Sequence, residues 1–237
     1  MLLQYVPCVH RRAAMRHIDL RKHVAIFSNY EDDIARCGAS TNQHKTSTHP
    51  SECYGTPAIT RNYSTCALVG NGGILLNSSC GEAVDSHDFV IRLNLPPVQS
   101  FERDVGSRTD LVSINNKVLI DIGSLLISST GRTEVLKMLN QVQNSILLYA
   151  KGFEKHGKVV LSLTFFRSRI RVSLTYFVHF IIDNRVISRL RETVRHPTTG
   201  FLNYFLSLAF CDHVTVYGFW PFAMTPDHRP LPYHYFD

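Results

Sequence analysis

Short runs rich in Val, Ile and Leu recur along the chain, with helically spaced apolar stretches between them. Cys66–Val69, Phe89–Arg92, Leu111–Ile114, Ser145–Tyr149, Lys158–Leu163 and His213–Tyr217 predict strands. Gly131–Gln143 and Gly200–Phe210 predict helices, and a helix-like apolar segment starts at Ile74. Strands alternating with helices point to an α/β fold, a Rossmann-like parallel sheet flanked by helices. A ligand of such a sheet lies beyond the carboxyl ends of its strands. The loop Gly70–Gly73, the turn Asn94–Pro97 and the segment Gly218–Phe222 are all expected at such ends.

The pattern divides the chain near residue 60. Residues 1–60 lack clear periodicity and carry Arg11, Arg12, Arg16, Arg21, Lys22 and the polar run Ser40–Pro50, which predicts a mostly irregular arm. The globular domain is expected over residues 61–237, long enough for one full core. No apolar run reaches the ~18–20 residues that cross a bilayer; Val172–Ile182 and Phe201–Phe210 are too short and hold His179 and Asn203. A hydrophobic share of 44% fits a globular protein, and the net charge of +6 leans towards anionic partners.

The strand running into Gly70-Asn71-Gly72-Gly73 has the layout in which backbone N–H groups approach a phosphate. Many Gly-rich turns serve only chain reversal. The Gly-x-Gly-x-x-Gly spacing of a dinucleotide-binding turn is absent, which argues against a dehydrogenase. Thr198-Thr199-Gly200 opens a helix, where hydroxyls and free N–H groups suit a carboxylate or phosphate, or act as a plain cap. The six cysteines, Cys8, Cys37, Cys53, Cys66, Cys80 and Cys211, show no CxxC spacing, so a structural zinc site is not expected. Asn62-Tyr63-Ser64 and Asn77-Ser78-Ser79 are glycosylation sequons.

Three stretches carry a family resemblance. The first runs from Cys66 through Gly70–Gly73, Cys80-Gly81, Asp88–Pro97 and Asp104–Val112. The second is Pro197-Thr198-Thr199-Gly200 with Cys211-Asp212 and Tyr217–Phe222, and the third is Pro232-Tyr233-His234-Tyr235-Phe236-Asp237. They resemble the large, small and third sialyl motifs of animal sialyltransferases, most closely the α-2,8-sialyltransferase branch. The resemblance is dense over residues 65–119 and 196–237.

That resemblance implies a GT-A-like variant of the Rossmann-like sheet and transfer of sialic acid from CMP-sialic acid to a glycan hydroxyl, with inversion and without a metal or other cofactor. It implies a donor pocket at Asn71, Asn94, Thr198, Thr199, Gly200, Tyr233 and His234. Trp220, the only tryptophan, packs in that picture against the cytosine or ribose, or else belongs to the core. The resemblance pairs Cys66 with Cys211 and leaves Cys80 without its family partner. Sialylated glycoproteins or glycolipids are the implied acceptors and the lumenal face of the Golgi membrane the implied location, with no nucleic acid as partner.

The family anchor and most of its stem have no counterpart here, residues 1–60 matching at most a partial stem. The chain also ends before the fourth motif, whose histidine is the general base, so no catalytic residue is assigned. A non-catalytic protein that binds nucleotide or glycan is therefore the alternative expectation. Three departures bear on the site: Leu93 where relatives have Cys, Asn115-Asn116-Lys117 in place of Asn-Pro-Ser, and Phe236 where Tyr is commoner. Arg167, Arg169, Arg171, Arg185, Arg189, Arg191 and Arg195 form a basic stretch reminiscent of polysialyltransferases, and equally of solvated helix faces.

Overall fold

The computed structural model describes residue 59, residues 61–149 and 198–237, and the strand backbones at 24–28 and 176–182. Seven strands form one sheet: β1 (Val24–Ser28), β2 (Tyr63–Val69), β3 (Phe89–Leu93), β4 (Leu111–Ile114), β5 (Ile146–Tyr149), β6 (Tyr176–Ile182) and β7 (Cys211–Tyr217). Their order across the sheet is β1-β6-β5-β4-β3-β2-β7. All neighbours are parallel except β1, which pairs antiparallel with β6 at one edge. Five of the six expected strands are found, and the sixth, Lys158–Leu163, lies outside the described residues. The arm before residue 60, expected to be mostly irregular, contributes β1 to the sheet.

The central strands β3 and β4 are buried along their whole length, as strands covered on both faces must be. One face carries Cys66, Leu68, Phe89, Ile91, Leu93, Leu111, Ile146 and Leu148 against Phe205, Leu206 and Phe210 of the α5 segment (Thr199–Ser207 and the turn after it). The other face splits into two clusters. Ala67, Val69 and Val90 meet Val84 of α1 (Gly81–Asp85) and Val105 of α2 (Glu102–Val105). Val112, Ile114 and Leu147 meet Leu119 and Ile122 of α3 (Asn116–Leu125) and Val135 and Leu139 of α4 (Ser129–Asn140).

The three longer helices each start at a side-chain cap. Asn115, Ser128 and Thr198 accept hydrogen bonds from the N–H groups of Val118, Gly131 and Phe201 at the starts of α3, α4 and α5. The Asn115-Asn116-Lys117 stretch forms a helix start: Asn115, shared with the family pattern, caps α3, and the departing Lys117 pairs with Asp121 one turn on, at 2.8 Å.

The helix expected from Ile74 is a single 3-10 turn, Gly73–Leu75. Asn77 and Ser79 adopt left-handed φ angles of 60° and 54°, which no helix tolerates. The Asp104 carboxylate holds that turn by accepting the N–H groups of Asn77 and Ser79 at 2.8 and 2.9 Å.

Candidate functional site

Because the sheet is parallel, the carboxyl ends of β2, β3, β4 and β7 all open onto one edge. Each end carries a polar or glycine residue of the motifs: Gly70–Gly73 after β2, Asn94 after β3, Asn115 after β4 and Gly218 after β7. Direct bonds join them. Asn71 Nδ2 donates to the Leu93 carbonyl at 3.0 Å, and Asn94 Oδ1 accepts the Asn115 N–H at 3.1 Å. The Asn94 N–H donates to the Ser113 carbonyl at 2.7 Å, and Asn94 takes a left-handed φ of 66° as the chain turns off the sheet.

The Gly-rich loop is occupied in a way its sequence does not announce. A Cβ on Gly72 would lie 2.6 Å from the Gly218 carbonyl oxygen, and one on Gly73 only 2.2 Å from that of Pro232. These glycines let the β7 exit and the C-terminal segment press onto the loop. The Gly70 and Gly72 N–H groups donate to the Tyr217 and Gly218 carbonyls, so neither is spare for a phosphate. The strand–turn–helix layout is corrected: two of the loop's N–H groups are already bonded, and a single 3-10 turn stands where the helix was expected.

The C-terminal segment is bound to the same edge. Gly72 and His234 form an isolated antiparallel bridge, and the Tyr235 N–H donates to the Asn71 carbonyl at 2.9 Å. Tyr235 is 2% exposed, its hydroxyl donating to the Pro97 carbonyl at 2.7 Å. Burial, partly offset by the nearby Arg92 charge, pushes its phenol up to about 12. His234 stays half-exposed: its Nδ1 lies 3.2 Å from Asp237 Oδ1, and its ring stacks on Phe236 at 4.9 Å. The His234 N–H and ring hold the Asp237 carboxyl below its ordinary value. Tyr233 is 84% exposed and free to meet a ligand.

From the other side comes the start of α5. Thr198 is exposed and caps it, Thr199 is half-buried, and Gly200 is buried against the Phe219 ring. Trp220 is half-buried, its Nε1–H donating to the Met224 carbonyl at 2.8 Å and its ring edge-on to Phe222 at 5.1 Å. It is thus part of its own loop rather than of the core. Asn62 and Asn77 are exposed, as sequon asparagines must be.

Cys66 and Cys211 form a disulfide with a Cα–Cα distance of 6.0 Å, tying β2 to β7 beneath the site. Cys80 is a half-buried free thiol. Leu93 lies in the core, so its departure from the family pattern is a packing change.

Several residues of consequence were not singled out from sequence. Arg92 is fully buried on β3, and burial lowers its pKa against the pull of Tyr235, Asp85 and Asp110. Its Nε and Nη2 donate to the Arg108 carbonyl and Nε also to Thr109, while Nη1 has no partner among the described residues. Asp85, although partial burial works against it, is held below its ordinary value by the N–H groups of Ser107 and Arg108 and by the Ser107 hydroxyl. An arginine in an apolar run looks like an outward-facing residue; only the double coverage of the sheet buries it. Among the described residues no three His, Cys, Asp or Glu side chains converge as a metal site.

A family model described as glycosyltransferase family 29 (sialyltransferase) matches residues 15–237. The chain is similar to alpha-2,8-sialyltransferase 8E of Rattus norvegicus, at 32% identity over 187 residues, covering 76% of this chain and 49% of that protein. It therefore spans about half the length of that curated relative. A solved mammalian sialyltransferase in complex with Gal-beta-1-3GalNAc-ortho-nitrophenol superposes with a TM-score of 0.54 at 23% identity, covering 88% of this chain and 70% of that one. A second mammalian sialyltransferase structure gives 0.52 at 22%, covering 88% and 69%. At these identities the structural likeness speaks for the fold.

Proposed function

Because the chain belongs to glycosyltransferase family 29, the sialyltransferases, we propose that it moves sialic acid from CMP-sialic acid to a hydroxyl of a sialylated glycan. The linkage proposed is α-2,8, on the strength of the curated relative's name, and the acceptor a glycoprotein or glycolipid. The observation that carries this reading is convergence. Asn71, Asn94, the Thr198–Gly200 helix start and the Tyr233-His234 pair stand on one edge of the sheet, joined through Leu93, Ser113 and Gly72.

In the proposed reaction the donor's anomeric carbon gains positive character while CMP leaves as an anion, and the acceptor hydroxyl attacks the opposite face. The catalytic task of this edge is to stabilise the departing phosphate and orient the donor. The α5 N-terminus supplies partial positive charge and the Thr199 hydroxyl. Asn71 and Asn94 are proposed to orient phosphate and sugar hydroxyls. His234, whose Nδ1 lies 3.2 Å from Asp237 Oδ1, is proposed to contact the leaving phosphate through its other ring nitrogen. We assign no general base among the described residues. The displacement is proposed to need no metal ion.

The Cys66–Cys211 bridge suits an oxidising compartment, and the lumenal face of the Golgi membrane is the proposed location. Among the described residues no helix is long and apolar enough to cross a membrane. The test is incubation of the purified chain with CMP-sialic acid and a panel of sialylated glycans, read by mass spectrometry. Gain of one sialic acid, removable by an α-2,8-specific sialidase and unaffected by a metal chelator, supports the proposal. No gain on any acceptor, with CMP binding intact, rejects transfer by this chain.

A further inference from the structure

Asn203 sits inside α5, one turn after Thr199, and is 1% exposed. Asparagine is a poor helix-interior residue, and a buried one demands partners for its whole amide. Its Nδ2 donates to the Thr199 carbonyl at 2.8 Å and to Ser113 Oγ at 2.9 Å. The Thr199 carbonyl only accepts, so reversing the amide would set two oxygens against each other. The chemistry therefore fixes which way the group faces. Its Oδ1 is then a buried acceptor that has no donor among the described residues.

Ser113 extends the pattern. Its carbonyl takes the Asn94 N–H, and across the β3–β4 register it faces Leu93, whose carbonyl takes Asn71 Nδ2. Asn71 Oδ1 is likewise buried without a donor. Two unused amide oxygens thus terminate one connected row, Asn71–Leu93–Ser113–Asn203, running across the ends of β2, β3 and β4 to the start of α5. A site that holds acceptors in reserve is complementary to a ligand that brings donors.

We infer that Asn203 is a further ligand-binding residue of this site, its side-chain carbonyl accepting a hydrogen bond from an N–H or O–H group of the bound nucleotide donor. The inference rests on the donor reading proposed above. Two groups of a cytidine nucleotide carry that chemistry, the amino group of the base and the ribose hydroxyls. Its amide has a second task, since the same side chain locks the helix start to β4.

Calorimetric titration with CMP separates these roles. Asn203→Leu removes both the lock and the acceptor; Ser113→Ala removes one bond of the lock and leaves the Asn203 carbonyl in place. We expect CMP affinity to fall at least tenfold in Asn203→Leu and less than threefold in Ser113→Ala, with thermal midpoints confirming that both variants fold. Asn203→Ala, built on a better helix former, replaces the leucine variant if that one does not fold. A parallel titration with UMP, which lacks the amino group, identifies the donor: a loss confined to CMP assigns the base, and an equal loss for both assigns the ribose. Wild-type binding with unchanged affinity in the Asn203 variant, or an equal loss in Ser113→Ala, overturns the inference alone. A folded wild-type chain that does not bind CMP overturns the donor reading and the inference with it.

Discussion

Replacing Cys66 and Cys211 together by alanine removes the covalent tie between β2 and β7, the two strands that lead into Gly70–Gly73 and Gly218–Phe222. The bridge closes a loop with a sequence separation of 145 residues. In the chain-entropy model such a loop restricts the unfolded ensemble by about 5 kcal/mol. Both sulfurs are fully buried among Leu68, Phe89 and Phe205, so the double variant also loses packing, of order 1 kcal/mol. Against a typical domain stability of roughly 5–15 kcal/mol, the sum brings the domain close to unfolding at room temperature. The assay is equilibrium urea unfolding of oxidised wild type, wild type in reductant, and the double variant. The midpoint should fall steeply in the variant, and reductant should bring wild type near it. Reduction should also be slow without denaturant, because the bond is reached only when the core opens. Equal midpoints for oxidised wild type and variant would refute the reasoning, since a loop of this length must restrict the unfolded chain if the bridge forms at all.

Further outcomes follow from single contacts. Gly73→Ala sets a methyl group 2.2 Å from the Pro232 carbonyl oxygen, so the C-terminal segment must move; thermal unfolding should show a loss of about 1–3 kcal/mol, and the Gly72–His234 bridge should loosen in hydrogen exchange. Tyr235→Phe gives up the bond to the Pro97 carbonyl, costing about 1 kcal/mol at neutral pH by urea titration. It should also flatten an alkaline slope. The unfolded tyrosine ionises near pH ~10, while the folded one holds its proton to about 12. Unfolding then releases a proton within that window, and wild-type stability falls as pH rises through it by up to roughly 2–3 kcal/mol relative to the phenylalanine variant. A parallel pH dependence in both proteins would place the phenol in water. Asp104→Asn leaves one carbonyl oxygen where two carboxylate oxygens hold the Asn77 and Ser79 N–H groups, and should lower stability by about 1–2 kcal/mol in the same assay.

The central sheet is legible because its strands are buried on both faces, which forces near-continuous runs such as Leu111-Val112 and Phe89-Val90-Ile91. The start of α5 is legible as well, since Thr198 is a cap residue placed just before apolar periodicity, whereas α4 begins at Ser129, ahead of the expected Gly131. Other parts depend on contacts distant in the chain. The apolar run from Ile74 looks helical, yet the Asp104 carboxylate, far along the sequence, draws Asn77 and Ser79 into a left-handed turn. The glycines after β2 look like a phosphate cradle because spacing alone does not reveal that Gly218 and Pro232 fill the space. Arg92 and Asn203 are inconspicuous for a related reason: a single polar residue within an apolar stretch is assumed to face water until the second layer is in place.

Calorimetric titration of the folded chain with CMP, repeated with Asn71→Ala and Thr199→Ala, tests the donor site most directly. These residues lie in different motifs, at the end of β2 and the start of α5, and are brought to one edge by the fold. Wild type is expected to bind CMP, with a loss of at least tenfold in each variant. Wild-type binding that survives both substitutions would place the nucleotide elsewhere and contradict the site described above.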